Sequence, residues 1–294
     1  MRRSLYGDNR ENTVKKSLAA VLCLSTTAAW AVEPVTAAKP KEGYSYFTLG
    51  LESVTYQEKF SDQGETFQSD ATALSPVINT GSLTRVNDMF DFSIDALATF
   101  SPGSVDEEWS NSQGIYQRNK FEYIKASTNV LIHYKVTPQW RVVAGPSMTY
   151  QTYKRYQNQS ENSIYYGTWE ESSTDIFLDA GVAYDSGSLH ADSPWHSYFR
   201  VVAGVPMWSQ TTNTAIDGMT FNDFGFRTSI DGGISYRLMK GLHLGWFVMA
   251  GYEKRFEEGP HFWRYDDNGS KQMATLPEAT TVSFSTGLQV LWNM

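Results

Sequence analysis

The sequence predicts an all-β fold: a transmembrane, antiparallel, up-and-down barrel of about ten strands. Three observations carry that expectation. Apolar residues recur at every second position over long stretches, as in Phe90, Phe92, Ile94, Ala96, Ala98 and Phe100, or Leu242, Leu244, Trp246, Val248, Ala250 and Tyr252. Aromatic residues gather at the ends of these stretches, and an export-type leader precedes them. Period two marks a β-strand, because successive side chains point to opposite faces. Long strands with one apolar face, behind such a leader, describe a barrel that crosses a membrane.

Residues 1–31 read as a signal peptide, 32–43 as a short periplasmic segment and 44–294 as the barrel. Lys15 and Lys16 precede the mostly apolar run 18–31, and Ala29-Trp30-Ala31 supplies a small-x-small cleavage pattern. The single cysteine, Cys23, falls inside the leader, so the exported part holds no disulfide and relies on barrel hydrogen bonding for rigidity. A mean hydropathy of -0.40 resembles that of a soluble chain. A barrel dilutes its apolar face with inward polar residues, so the low value agrees with the prediction. No exported stretch reaches the roughly 20 apolar residues of a membrane helix.

Strands are predicted near 44–56, 71–83, 89–100, 117–136, 140–155, 173–185, 196–209, 223–238, 242–255 and 280–293. Short connections near Asn87, Pro138, 186–194 and Lys240-Gly241 alternate with long ones at 57–70, 101–116, 156–172, 210–222 and 256–279. That is the plan of short periplasmic turns and long extracellular loops, and it requires an even strand number. Eight and twelve strands stay open, because the first two segments are the least regular and Pro76 interrupts the second.

If the apolar rows face lipid, the lumen receives a charged network. Its members are Asp91, Asp95, Lys125, Arg141, Asp175, Asp179, Arg200, Arg227, Asp231, Arg237, Glu253 and Arg255. Both signs occur in similar number. In a narrow barrel such groups pair, since an unpaired charge in a dry interior is costly. The expectation is a narrow lumen filled with ion pairs.

The formal charge is -8, and the leader alone nets +3, which leaves -11 for the remainder. The five long connections sum to -13, so the excess negative charge is expected outside the membrane. They also carry Trp109, Tyr165, Tyr166, Trp169, Trp263 and Tyr265, the candidates for binding an extracellular protein or glycan. Rigid aromatics among small polar residues suit recognition surfaces. An acidic surface argues against nucleic acid as a partner.

The chain resembles Gram-negative outer-membrane β-barrel proteins over its whole exported length. The last strand, ending Val290-Leu291-Trp292-Asn293-Met294, resembles the C-terminal signal read by the barrel-assembly machinery, with methionine where that signal usually ends in an aromatic. The resemblance implies residence in the outer membrane, among its lipids and lipopolysaccharide. In size the chain is similar to ten-stranded omptin proteases and adhesins. Omptin-like proteolysis would require aspartates facing an Asp–His pair at the outer mouth. His261, beside Asp266 and Asp267, is the single histidine placed near that mouth. No catalytic residue, metal-ligand spacing or cofactor motif is found in the sequence. The reading is a surface interaction through the outer connections, in adhesion, reception or structure. A narrow channel for small solutes and an omptin-like surface hydrolase are the alternatives.

Overall fold

A computed structural model of the chain describes residues 43–294, apart from 63, 101, 102, 161, 162, 217, 223 and 267. The expected leader, its cleavage site and Cys23 lie outside the described residues.

The strands, in chain order, are β1 (Tyr44–Asp62), β2 (Glu65–Arg85), β3 (Phe90–Phe100), β4 (Val105–Asn111), β5 (Gly114–Lys135), β6 (Trp140–Ser160) and β7 (Ser163–Asp185). Then follow β8 (Trp195–Asn213), β9 (Thr220–Phe221), β10 (Gly225–Met239), β11 (Leu242–Arg255), β12 (Glu258–Tyr265), β13 (Lys271–Leu276) and β14 (Glu278–Asn293). Ten of them pair edge to edge around a ring, β1-β2-β3-β5-β6-β7-β8-β10-β11-β14, and β14 closes on β1 from Tyr44↔Asn293 to Lys59↔Glu278. Closure gives each ring strand a neighbour on both sides, which strands require in lipid. The ring holds the ten strands predicted, Pro76 included.

The outward face of the lower barrel is apolar. Phe47, Leu49 and Leu51 on β1, Trp246 and Val248 on β11, and Phe284 and Leu288 on β14 are all exposed. Rings of Tyr134, Trp140, Trp195, Tyr236 and Trp292 lie exposed at the periplasmic ends, and Trp208, Phe224 and Tyr252 mark the outer limit. An apolar belt between two aromatic girdles is what a bilayer solvates. Among the described residues no helix is long and apolar enough to cross a membrane.

The periplasmic turns are short and locally determined. Gly241, in the Lys240-Gly241 turn, has φ +76°, a conformation that favours glycine. Asn87 Oδ1 accepts from the backbone N–H of Met89 and Phe90. The longest of these turns, 186–194, folds back under the barrel and buries Leu189 against Tyr44, Leu83 and Leu291.

The outer connections depart from the prediction. They are not mainly loops: the wall continues as β structure well past the bilayer. β1, β5, β6 and β7 are 19, 22, 21 and 23 residues long, about twice the 9–11 that cross a membrane. β4 continues the position of β3 outward, pairing with both β2 and β5. The reason is a change of phase in the alternation. On β1 the outward residues are Phe47, Leu49 and Leu51, but higher up the apolar residues, Val54 and Tyr56, point inward. On β5, Ile132 and Tyr134 face out while Phe121 and Tyr123 face in. The lower barrel is apolar outside and charged inside. The upper barrel is polar outside, with Gln57 and Lys59 on β1 and Arg118 on β5, and aromatic inside. It is packed as a water-soluble β-barrel would be.

Candidate functional site

The charged residues of the lumen come together in stacked tiers. At the periplasmic end Asp91 accepts from Arg141 at 2.8 Å and meets Lys135 at 2.7 Å. Next to it Asp185 accepts from the Tyr44 hydroxyl at 3.1 Å and meets His196 at 3.5 Å. Above, Arg200 bridges Asp95 at 2.5 Å and Asp231 at 2.8 Å, and the Tyr46 hydroxyl donates to the other oxygen of Asp95 at 2.5 Å. Arg227 grips Asp179 with two nitrogens, at 2.6 and 3.2 Å, and lies 4.3 Å above the Phe177 ring. Gly204 makes this grip possible, because a Cβ there would stand 2.0 Å from Asp179 Oδ1. Further out, Lys125 lies 3.8 Å from Glu253, which also accepts from Gln151 at 2.6 Å.

The uppermost tier sits above the apolar belt. Arg155 donates to Glu107 from Nε at 2.8 and 3.0 Å and from Nη2 at 2.9 Å, and reaches Glu58 at 3.0 Å. Arg255 joins Glu58, at 3.4 Å, to Glu171, at 2.6 Å. The Arg155 guanidinium lies 5.6–5.8 Å from the rings of Tyr56, Trp109 and Phe121. Burial pushes the Glu107 carboxyl up, but the Arg155 charge and the hydrogen bonds from Arg155, Asn119 and Ser69 together outweigh it and hold Glu107 below the usual carboxylate range. For Glu58 burial wins over Arg155, and its pKa is raised. Tyr56, Phe121, Tyr123 and Tyr153 pack with Val54, Ala71 and Ala279 into a core that fills the bore at this level.

Two residues expected in the lumen network have other partners. Arg237 lies at the periplasmic rim, where Nη2 donates to the backbone carbonyls of Ala191, across a short contact, and Ser193, at 2.6 Å. It braces the turn that carries Leu189. Asp175 accepts from the hydroxyls of Ser173, at 2.8 Å, and Ser209, at 2.5 Å.

The aromatic candidates divide. Trp109 is not on the surface: it points inward from β4 and is 8% exposed, because the phase change carries the β4 side chains Glu107 and Trp109 into the upper core. Trp263 is half-buried against Phe221, Ala274 and Leu276. Trp169 is partly covered, and the side chain of Tyr165 lies outside the described residues. Tyr166 and Tyr265 are open, at 75% and 60% exposure. Tyr265 sits on the β12–β13 hairpin, which packs over β9 through Phe221 and shows solvent a face of Phe262, Tyr265 and Met273. The Phe262 and Tyr265 rings are 5.1 Å apart. His261 is exposed and lies 3.2 Å from Glu258.

Sequence reasoning missed Glu58, Glu107, Arg155 and Glu171, which it assigned to solvated loops or left out. The signal was present: Glu58 follows Tyr56 at the inward spacing, and Arg155 continues the inward row Thr149, Gln151, Tyr153. Three acidic residues of the long connections, Glu58, Glu107 and Glu171, are therefore paired inside the wall rather than displayed.

No known sequence family matches the chain, and no curated protein does. Solved structures do. The outer-membrane protease OmpT from Escherichia coli superposes with a TM-score of 0.59 at 11% identity, covering 88% of this chain and 99% of that one. The transport unit of the autotransporter AIDA-I from Escherichia coli gives 0.37 at 9% identity, over 92% and 97%. Neisserial surface protein A gives 0.30 at 11% identity, over 83% and 96%. The likeness to the first shows the fold: an antiparallel β-barrel of the kind that outer-membrane protein has.

Proposed function

We propose that this outer-membrane barrel is a closed support for surface interaction, and that its exposed extracellular hairpin face binds a protein or glycan outside the cell. One observation carries the reading: Phe262, Tyr265 and Met273 are open to solvent on a hairpin whose opposite face is anchored by its own apolar cluster. Exposed large apolar side chains on a rigid support are costly to leave wet and suit a binding surface. The lumen below favours binding over transport. Its charges pair along the wall, as Asp91 with Arg141, and across the bore, as Arg200 with Asp95 and Lys125 with Glu253, and apolar clusters around Leu189 and Tyr56 lie near its two ends. A conducting pore needs a continuous wet path with binding weak enough to release the solute.

The barrel-assembly machinery is the partner proposed for biogenesis, through the alternating row Val282, Phe284, Leu288, Val290 and Trp292 on β14. The test displays the barrel on cells and probes them with arrays of glycans and extracellular-matrix proteins. The triple variant Phe262→Ser, Tyr265→Ser, Met273→Ser should keep the heat-modifiable gel shift of a folded barrel and lose the bound probe. Undiminished binding by the triple variant, or no binding by the parent, overturns the proposal.

A further inference from the structure

The β12–β13 hairpin has two edges of different kinds. Its strands pair only with each other, as a two-stranded sheet apart from the ring. The β1–β14 ladder ends at Lys59↔Glu278, and Pro277, which has no N–H to donate, separates β14 from β13. The free edge of β12 is irregular. Glu258↔Leu276 is followed by His261↔Ala274, and Phe262↔Met273 by Arg264↔Gln272, so β12 carries an extra residue at each of these steps. Such bulges break the row of edge donors and acceptors, and Pro260 removes one donor outright. Natural sheets keep their edges from pairing in this way. β13 lacks both devices: its six residues, Lys271–Leu276, contain no proline and no bulge. Among the described residues its backbone groups bond to no segment but β12. Alternate residues of a strand aim their N–H and C=O at opposite neighbours, so every second residue of β13 offers both to the open side.

The side chains beside this edge point to the same kind of partner. On the outward face of the hairpin Phe262 pairs with Met273, and Tyr265 with Lys271. Phe262 and Met273 are both exposed, so their apolar row runs across the hairpin to the edge of β13 and stops there. A third strand would continue the row with an apolar side chain opposite Met273, where cross-strand neighbours touch. Lys271 is exposed and has no ion pair among the described residues, so a carboxylate fits opposite it. The other face of β13 is already occupied: Ala274 and Leu276 pack on Phe221 and hold the strand in place.

We propose that the open edge of β13 takes an extended segment of a partner protein as a third, antiparallel strand, with an apolar residue opposite Met273 and a carboxylate two residues on, opposite Lys271. The inference rests on the hairpin as the binding surface and narrows its ligand to a polypeptide. Main-chain hydrogen bonds supply the affinity and alternate side chains the selectivity. A glycan offers no row of paired donors and acceptors at the two-residue repeat of a strand, roughly 6.8 Å.

The test uses the full chain in phosphatidylcholine nanodiscs and the fluorescein-labelled peptide SVTFTE. In the antiparallel register its phenylalanine meets Met273 and its glutamate meets Lys271. Two further versions carry N-methyl groups, one on the odd-numbered residues and one on the even-numbered residues. One set of N–H groups faces β13 and the other faces solvent. Fluorescence anisotropy should show binding weakened about tenfold or more by one methylated set and about twofold or less by the other. Amide exchange at 271–276 should slow when the unmethylated peptide is bound. Equal losses with the two methylated sets would mean contact through side chains alone and overturn the proposal. The hairpin reading itself would survive that result, provided the Phe262, Tyr265, Met273 triple variant still loses the peptide. No binding of the unmethylated peptide up to about 1 mM overturns the proposal as well. So does a dimer whose 271–276 amides are protected without peptide, which would make the edge an interface between copies of this chain.

Discussion

Replacing Arg155 by methionine gives the sharpest test of how the upper barrel is held. Methionine keeps the length and apolar stem of the side chain and removes the charge. The parent guanidinium makes three hydrogen bonds to Glu107, meets Glu58 at 3.0 Å and lies near three aromatic rings. Glu58 keeps Arg255, but Glu107 is left fully buried with only the neutral donors Asn119, at 3.0 Å, and Ser69. Removing one partner of a buried pair costs about 3–5 kcal/mol, most of it the stranded charge. The double variant Arg155→Met, Glu107→Gln should therefore recover more than half of the loss.

The pH dependence should also change sign. In the parent, Glu107 is held below its ordinary pKa, so its contribution is present at neutral pH and disappears as acid protonates it. In Arg155→Met burial, the largest influence on this carboxyl, is opposed only by the smaller hydrogen bonds from Asn119 and Ser69, and the pKa is raised. The bare carboxylate then costs stability above about pH 4–5, and the penalty fades below that range. Urea unfolding in vesicles, followed by gel shift at neutral and mildly acidic pH, reads both effects. A loss below about 1 kcal/mol, the size of an exposed pair, would refute the buried-network account. So would a deficit that stays constant with pH.

Two further perturbations test other levels of the barrel. Leu49→Arg, inside the lipid belt, should destabilise by about 2–4 kcal/mol, whereas Gln57→Arg, eight residues higher on the same outward row, should cost about 0–1; equal costs in vesicle unfolding would contradict the phase change on β1. Leu189→Ala removes the apolar side chain that stops the periplasmic mouth and should cost about 2–5 kcal/mol in the same assay, a cost that an ordinary exposed turn residue would not show.

Much of this architecture was legible in period two alone. The rows Phe90–Phe100 and Leu242–Tyr252 identified strands with a lipid face, and the inward charges Asp95, Arg200, Asp231, Asp179 and Arg227 followed from parity. Periodicity was less informative above the membrane. There the alternation persists but its polarity inverts, so stretches such as 57–70 and 101–116 carry outward polar residues and read as loops. Trp109 was misplaced for that reason: a tryptophan beside three acidic residues looks exposed until β4 is paired between β2 and β5. The partners of Arg155 needed the same tertiary information, because Glu107 lies 48 residues away and Glu58 is farther still. Pairing such distant residues requires knowing which strands are neighbours. Nor could a one-strand pattern reveal the turn 186–194 folding back into the mouth, since Leu189 is a single apolar residue among polar ones.

The central claim is that the lumen is closed and the barrel acts from its surface. Single-channel recording on the purified full chain in planar bilayers tests it most directly. Insertion confirmed by gel shift should give a quiet trace at both polarities if, as proposed, the paired tiers and the two end clusters close the wet path. Reproducible current steps that change when small solutes are added would contradict the claim and assign the barrel to transport.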